Sequence, residues 1–336
     1  MKRWLKALLR GETVFPGDRQ TVDRAEHLID LFVTRLEPRI VLNADFTLIG
    51  GALGDVLNLT NFDGATTEVT VEESVDGSDY LFRLDSGTWN GDSSPAGIDV
   101  VGDTLQVDKA LVTEAIRIDD SDADANPMNN VDVDFGTIDF SSGGAAALFF
   151  DVDDVRTVVV SGDVALGNTS LSVDAGRDVF VTGSVNTIDG DVTLIGNVDS
   201  LSDNGDGTFA VTRGNGTGDF DGVSLSGAQI VSSGSGNIEL IGGGGNSSTM
   251  TRQVGVQITN SDVLSTSDAA DAGAISVIGQ AGYEGTELNY GVSIFSNGDI
   301  ESNRGEIFVQ GTGAGEGKWN WGVNRKCYLG NSFRVR

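Results

Sequence analysis

A seven-residue motif, Gly-x-[Ile/Val]-x-[Leu/Val]-x-Gly, occurs four times in the second half of the chain, at residues 190–196 (GDVTLIG), 236–242 (GNIELIG), 273–279 (GAISVIG) and 305–311 (GEIFVQG). Apolar residues at every second position line one face of a strand, and the flanking glycines end it before a helix could form. A second element lies between the copies: Val254-Gly255-Val256-Gln257-Ile258, Tyr290-Gly291-Val292-Ser293-Ile294 and Trp321-Gly322-Val323. Glycines 236, 255, 273, 291, 305 and 322 recur at nearly even steps, the two elements alternating so that each pair makes one compound repeat. Upstream, apolar runs at 158–160, 164–166, 171–173, 179–181 and 192–195 start roughly every seven residues and close on Gly, Asp or Asn.

Periods of this size indicate stacked repeats rather than one globular core. Two or three short strands with their turns fill a coil of roughly 17–22 residues, and coils stack at the ~4.8 Å strand spacing. The expected fold is therefore all-β, a right-handed parallel β-helix with Val, Ile and Leu inward and Asp, Ser, Asn and Thr outward. Glycine is expected at the corners to supply left-handed backbone angles. The rival is an antiparallel β-sandwich, but here the motif recurs in one direction rather than as hairpins. A calcium-binding β-roll is disfavoured because residues 242–245 are all Gly where its nonapeptide needs Asp.

Charge divides the chain. Of 336 residues, 50 are acidic and 21 basic, a net charge of -29. Residues 1–44 carry eight basic residues against six acidic, and residues 317–336 carry five basic and none acidic. The stretch between them holds 44 acidic and eight basic residues. Such a body argues against nucleic acid and against anionic membrane surfaces as partners. The only His is His27 and the only Cys is Cys327, so a His-rich metal site and an intrachain disulfide are both excluded. No run of 18 apolar residues exists, so no helix of this sequence is expected to span a membrane.

Residues 1–44 read as a helical leader. Trp4, Leu5, Leu8 and Leu9 form one apolar stripe, and Val22, Ala25, Leu28, Ile29, Phe32 and Leu36 another, the second bounded by Pro16 and Pro38. Lys6 interrupts the first stripe, which makes a standard secretory signal a poor fit. The leader ends in Leu36-Glu37-Pro38-Arg39-Ile40-Val41-Leu42-Asn43-Ala44. This resembles the LEPR-type segment near the N-terminus of large, repetitive exported proteins of planctomycete bacteria, with Val41 and Asn43 departing from the more usual Leu and Ser. The resemblance covers about nine residues and implies export to the cell surface or beyond. With the repeats behind it, the chain is similar to adhesin-like β-solenoids of the filamentous-haemagglutinin kind. Residues 45–150 read as an irregular β cap or first coils, 151–323 as the β-helix repeats, and 324–336 as an aberrant basic tail where the motif stops.

Three acidic clusters invite a calcium reading. Asp120, Asp122 and Asp124 alternate as in a calcium loop, but the Gly and the closing Glu of such a loop are missing. Asp203 and Asp206 flank a turn (DNGDG), and Asp151, Asp153 and Asp154 form the third cluster. All five residues Asp120, Asp122, Asp124, Asp203 and Asp206 are weak calcium candidates; a solvated acidic loop is the favoured reading of each cluster, and diffuse calcium binding by the acidic surface is the broader expectation. No cofactor and no catalytic residue is assigned. Sugar-cleaving β-helix enzymes would need a Gly-His-Gly element or a basic residue among calcium-binding acids. The best pairings for the latter are Arg156 beside Asp153 and Asp154, and Arg177 beside Asp174 and Asp178. Tyr290, Trp319 and Trp321 occupy matching repeat positions, suited either to stacking on sugar rings or to filling a corner.

The expected function is a non-catalytic, exported or cell-surface structural and interaction protein, a piece of a larger repeat protein. Its partners would be cell-surface or matrix components, polysaccharide among them. A β-helix polysaccharide lyase or glycoside hydrolase, and a non-functional truncated fragment, are the alternatives.

Overall fold

The computed structural model describes residues 43–50, 55–62, 67–91, 95–119, 131–141, 149–216, 218–247, 253–283, 288–314 and 321–326. These fall in one compact unit, Leu42–Arg336. Among the described residues the fold is all-β, and the only helical piece is a 3-10 turn at Lys109–Leu111. Of the expected helical leader only Asn43 and Ala44 are described, and both belong to the strand Asn43–Gly50. The rest of the leader, including the LEPR-like residues before Asn43, lies outside the described residues.

Parallel pairing builds three columns of strands. The first column stacks Ala115–Asp119, the front of Phe149–Val160, the front of Ser170–Val181, Val192–Gly196, Ile238–Gly243, Ile275–Gln280 and Ile307–Thr312. The second stacks Val131–Phe135, the backs of the same two long strands, Val223–Ser226, Val256–Thr259, Val292–Phe295 and Val323–Lys326. The third runs through Ile138–Asp139, Asp163–Gly167, Ser184–Thr187, Gln229–Ser232, Asp262–Ser265 and Asp299–Ser302. Along the chain the columns are visited in the order one, two, three.

The in-register pairs define the circuit. Leu171 faces Val192, Val192 faces Ile238, Ile238 faces Ile275 and Ile275 faces Ile307, so successive circuits differ in length while the register is kept. The Gly-x-Ile motif is thus the first column and the Gly-Val element the second. One circuit contains both plus a third strand, so the single step from one repeat glycine to the next is not a coil in itself. Val323–Lys326 is a strand paired with Val292–Phe295, so the second column runs on through Asn324, Arg325 and Lys326.

Inward rows are apolar and continuous. Val158, Val179, Val223, Val256 and Val292 stack in the second column, and Val164, Val185, Ile230, Val263 and Ile300 in the third, all but fully buried. Each such side chain contributes about 1.5–3 kcal/mol by leaving water. The N-terminal end is different. Asn43–Gly50 pairs antiparallel with Asp55–Thr60, and Thr67–Glu73, Asp79–Leu84, Thr104–Asp108 and Ile98–Val101 form an antiparallel set. Asp55–Thr60 and Thr67–Glu73 then pair parallel with Ala115–Asp119 and Val131–Phe135, which hands the sheet over to the columns. Rings weld the junction: Tyr80 to Phe140, Phe140 to Phe150 and Phe150 to Phe135, with centroids 5.4, 5.2 and 5.1 Å apart.

The motif glycines serve a purpose other than the left-handed angles expected of them. Positive φ occurs at Gly77, Gly87, Gly97, Gly102, Gly167, Gly205, Gly207, Gly218 and Gly227, none of them a motif glycine. Instead, a Cβ on Gly236 would collide with the carbonyl of Gly190, one on Gly273 with that of Gly236, and one on Gly305 with that of Gly273. At the other end of the strand, Gly242, Gly279 and Gly311 would strike Gly255, Gly291 and Gly322 in the same way. We therefore expect Gly273→Ala to lower stability by roughly 1–3 kcal/mol through forced backbone shifts. Gly227→Asn, at φ 67° with open space around it, should cost less, because Asn tolerates that region. Denaturant unfolding followed by circular dichroism ranks the two; the reverse order would refute the close-stacking role.

Candidate functional site

Most long insertions enter at one corner, between the first and second columns. The connection from Val192–Gly196 to Val223–Ser226 contains a hairpin, Val198–Asp203 paired antiparallel with Phe209–Arg213. Its half-buried residues Phe209, Val211 and Arg213 lie over the outward face of the first column. Phe209 meets Phe308 edge-on at 5.6 Å, and its backbone exchanges two hydrogen bonds with the Gln310 amide. This cover explains why Ile241 and Ile278, outward by strand alternation, are buried. At the hairpin's base Arg213 donates to the Gly244 and Gly245 carbonyls at 3.0 and 3.2 Å, and its guanidinium stacks 4.5 Å from the exposed Tyr283 ring.

Two of the five calcium candidates sit at the tip of this hairpin. Asp203 Oδ1 accepts from the Gly205 N–H at 2.7 Å, and Asp206 Oδ1 accepts from the N–H and hydroxyl of Thr208 at 3.0 and 2.5 Å. The Thr208 bonds hold the Asp206 carboxyl below its ordinary range. Both carboxylates thus cap their own turn, as Asp does in Asx turns. Asp120, Asp122 and Asp124 lie outside the described residues. Among the described residues no group of three or more His, Cys, Asp or Glu side chains converges on a common point.

Of the basic residues singled out for catalysis, Arg156 pairs with a distant acid and Arg177 with its sequence neighbour. Arg156 forms a two-pronged pair with Asp132, one circuit back, donating Nε to Oδ1 at 2.8 Å and Nη2 to Oδ2. Arg177 reaches Asp178 at 3.9 Å and its guanidinium lies 5.2 Å from the Phe220 ring. Thr157 donates to Asp178 at 2.7 Å. Parallel register thus sets Glu68, Asp132, Thr157 and Asp178 in one outward row of the second column, with Asp134 in the next. Burial, and then the charge of Asp134, Asp85 and Asp132, raises the Glu68 carboxyl; burial is also the largest cause of the raised Asp151, Asp178 and Glu239 carboxyls.

The aromatic positions split. Tyr290 is buried at the corner, whereas Trp321, 6.4 Å from it, leaves half its surface open; Trp319 lies outside the described residues. The sequence reading overlooked Lys109. It sits 6 % exposed and pairs with Glu73 at 2.6 Å, although it reads as one more scattered surface base. Parity could have found it, since Leu105, Val107 and Lys109 continue one alternation and the first two are core.

A carboxyl raised in the native state binds its proton there more tightly than in the unfolded chain. Stability should therefore rise as pH falls from neutrality toward the ordinary carboxylate range, because Glu68, Asp151, Asp178 and Glu239 are raised in the native state. The gain ends near the ordinary values of 3.8 for Asp and 4.5 for Glu, where the unfolded chain also takes up protons. Asp178→Asn should raise the neutral-pH melting temperature and weaken this dependence. Thermal melts across that interval check it, and a fall in melting temperature on mild acidification would refute it. No protein-family model matches the chain, and neither the curated proteins nor the solved structures yield a match.

Proposed function

We propose that this chain is a right-handed parallel β-helix that acts as a non-catalytic, exported or cell-surface scaffold, adhesin-like in its role. The observation that carries the reading is the in-register parallel ladder of three columns, each circuit adding one strand to every column. The outward rows are mostly small and polar, and insertions gather at one corner, which leaves long flanks for contacts with matrix components or polysaccharide. Export rests on the LEPR-like segment ahead of the ladder. Arg156 and Arg177 serve as ion-pair partners within the outer rows, an ordinary surface role.

The test is a binding and turnover assay on a panel of acidic and neutral polysaccharides and on cell-envelope fractions, with and without calcium. Retention without product is the expected result. Turnover abolished by Arg156→Ala would replace this reading with a lyase, and retention on none of the materials would remove the interaction role. Calcium should raise the melting temperature gradually, without saturating at a single site, and magnesium should do the same. A sharp, calcium-selective rise lost in Asp203→Asn or Asp206→Asn would instead assign a specific site to the hairpin tip.

A further inference from the structure

Where the antiparallel N-terminal set meets the first circuit, a buried primary amine and a part-buried carboxylate meet beside an aromatic pair. The Lys109 Nζ donates to Glu73 Oε1 at 2.6 Å and to the Asp139 carbonyl at 2.6 Å. The N–H of Asp139 donates to the other carboxylate oxygen, Glu73 Oε2, at 2.9 Å. The backbone of one third-column residue thus grips both reactants. The Tyr80 ring lies 5.2 Å from Nζ and packs on Phe140, and its hydroxyl is fully buried with no hydrogen-bond partner among the described residues. Glu73 ends the strand Thr67–Glu73 and Lys109 follows directly on Thr104–Asp108, so the two side chains are presented from rigid elements 36 residues apart in sequence.

We propose that Lys109 and Glu73 condense into an intramolecular isopeptide bond, which closes the segment between them into a covalent loop. One ammonium proton first passes from Nζ to Oε1 across their 2.6 Å contact, leaving an amine and a carboxylic acid. The amine lone pair then adds to Glu73 Cδ. Negative charge develops on Oε2, which already holds the Asp139 N–H as a preorganised donor. Oε1 leaves as water with the two protons that nitrogen sheds, and the amide nitrogen keeps the third. Ammonium plus carboxylate thus become amide plus water, with no oxidant or other co-reactant. Fixed contact between the reacting groups replaces the activation that such a condensation needs in solution.

Mass spectrometry of the intact, natively purified chain tests this directly. The expected mass is one water below that of the sequence. After denaturation and trypsin, a branched peptide should join Lys109 to Glu73, with no cleavage after Lys109. Lys109→Arg keeps the cation but cannot form the amide, and should restore the full mass and separate peptides. A full-mass wild-type chain whose denatured Lys109 is cleaved by trypsin and labelled by an amine reagent overturns the proposal. So does a water loss that persists in Lys109→Arg.

Discussion

The structure depends on how closely one backbone can pass over another. Strands in a parallel ladder lie ~4.8 Å apart, and inside a strand that gap is bridged by hydrogen bonds with side chains projecting to either side. At the strand ends the chain bends, and the peptide of one circuit runs straight over the peptide of the circuit before. Gly190, Gly236, Gly273 and Gly305 form such a pile, and a Cβ on any of them would fall where the carbonyl one circuit back sits. Any side chain there would lift one circuit off the next. The inward rows of Val, Ile and Leu can meet in register only because these corners stay flat, so the apolar core is a consequence of the glycine pile as much as its cause.

Corners also leave backbone groups that no ladder satisfies, and polar side chains at the start of the first-column strands answer part of that need. Ser170 Oγ accepts from the Asp191 N–H at 3.1 Å, Asp191 from the Asn237 N–H at 2.8 Å, and Asn237 from the Ala274 N–H at 2.9 Å. Thr187 and Ser265 donate inward to the Gly190 and Gly273 carbonyls at 2.6 and 2.7 Å. Each circuit is therefore tied to the next by its own local set of bonds, so stability accumulates circuit by circuit. That is why the short circuit from Leu171 to Val192 and the long one from Val192 to Ile238 coexist in one stack. Extra length leaves at a corner and returns without disturbing the register.

The all-β class was legible because alternation and glycine punctuation are local signals. The first two columns were legible too, because glycines mark them. The third column was clear only in the early circuits. Later it is carried by Gln229–Ser232, Asp262–Ser265 and Asp299–Ser302, where the inward Ile230, Val263 and Ile300 each follow a polar residue and no glycine motif brackets them. Its signal was the recurrence of those three residues, in step with the glycine repeat but weaker than it. The partners of Arg156 and Lys109 were not legible at all. Asp132 lies 24 residues from Arg156 and Glu73 lies 36 from Lys109, and only the register, which no short window contains, brings them together.

Register also explains how so acidic a body stacks without tearing itself apart. In a parallel in-register ladder an outward side chain faces its counterpart in the next circuit at strand spacing, so identical charges would repel at close range along the whole row. Some rows avoid this by alternation between circuits. One outward row of the first column reads Arg117, Asp151, Ser172, Thr193, Glu239, Ser276, Phe308, and no two acids adjoin in it. One row of the third reads Asp163, Ser184, Gln229, Asp262, Asp299, with a single acidic contact at its end. Elsewhere acids do adjoin, Asp119 with Asp153 and Glu68 with Asp132, and in the second pair Arg156 binds Asp132. In these rows neutral residues separate most carboxylates, and solvent and salt screen the repulsion between them. What limits the acidity of this surface is the sequence of each row across circuits, a property that composition along the chain does not reveal.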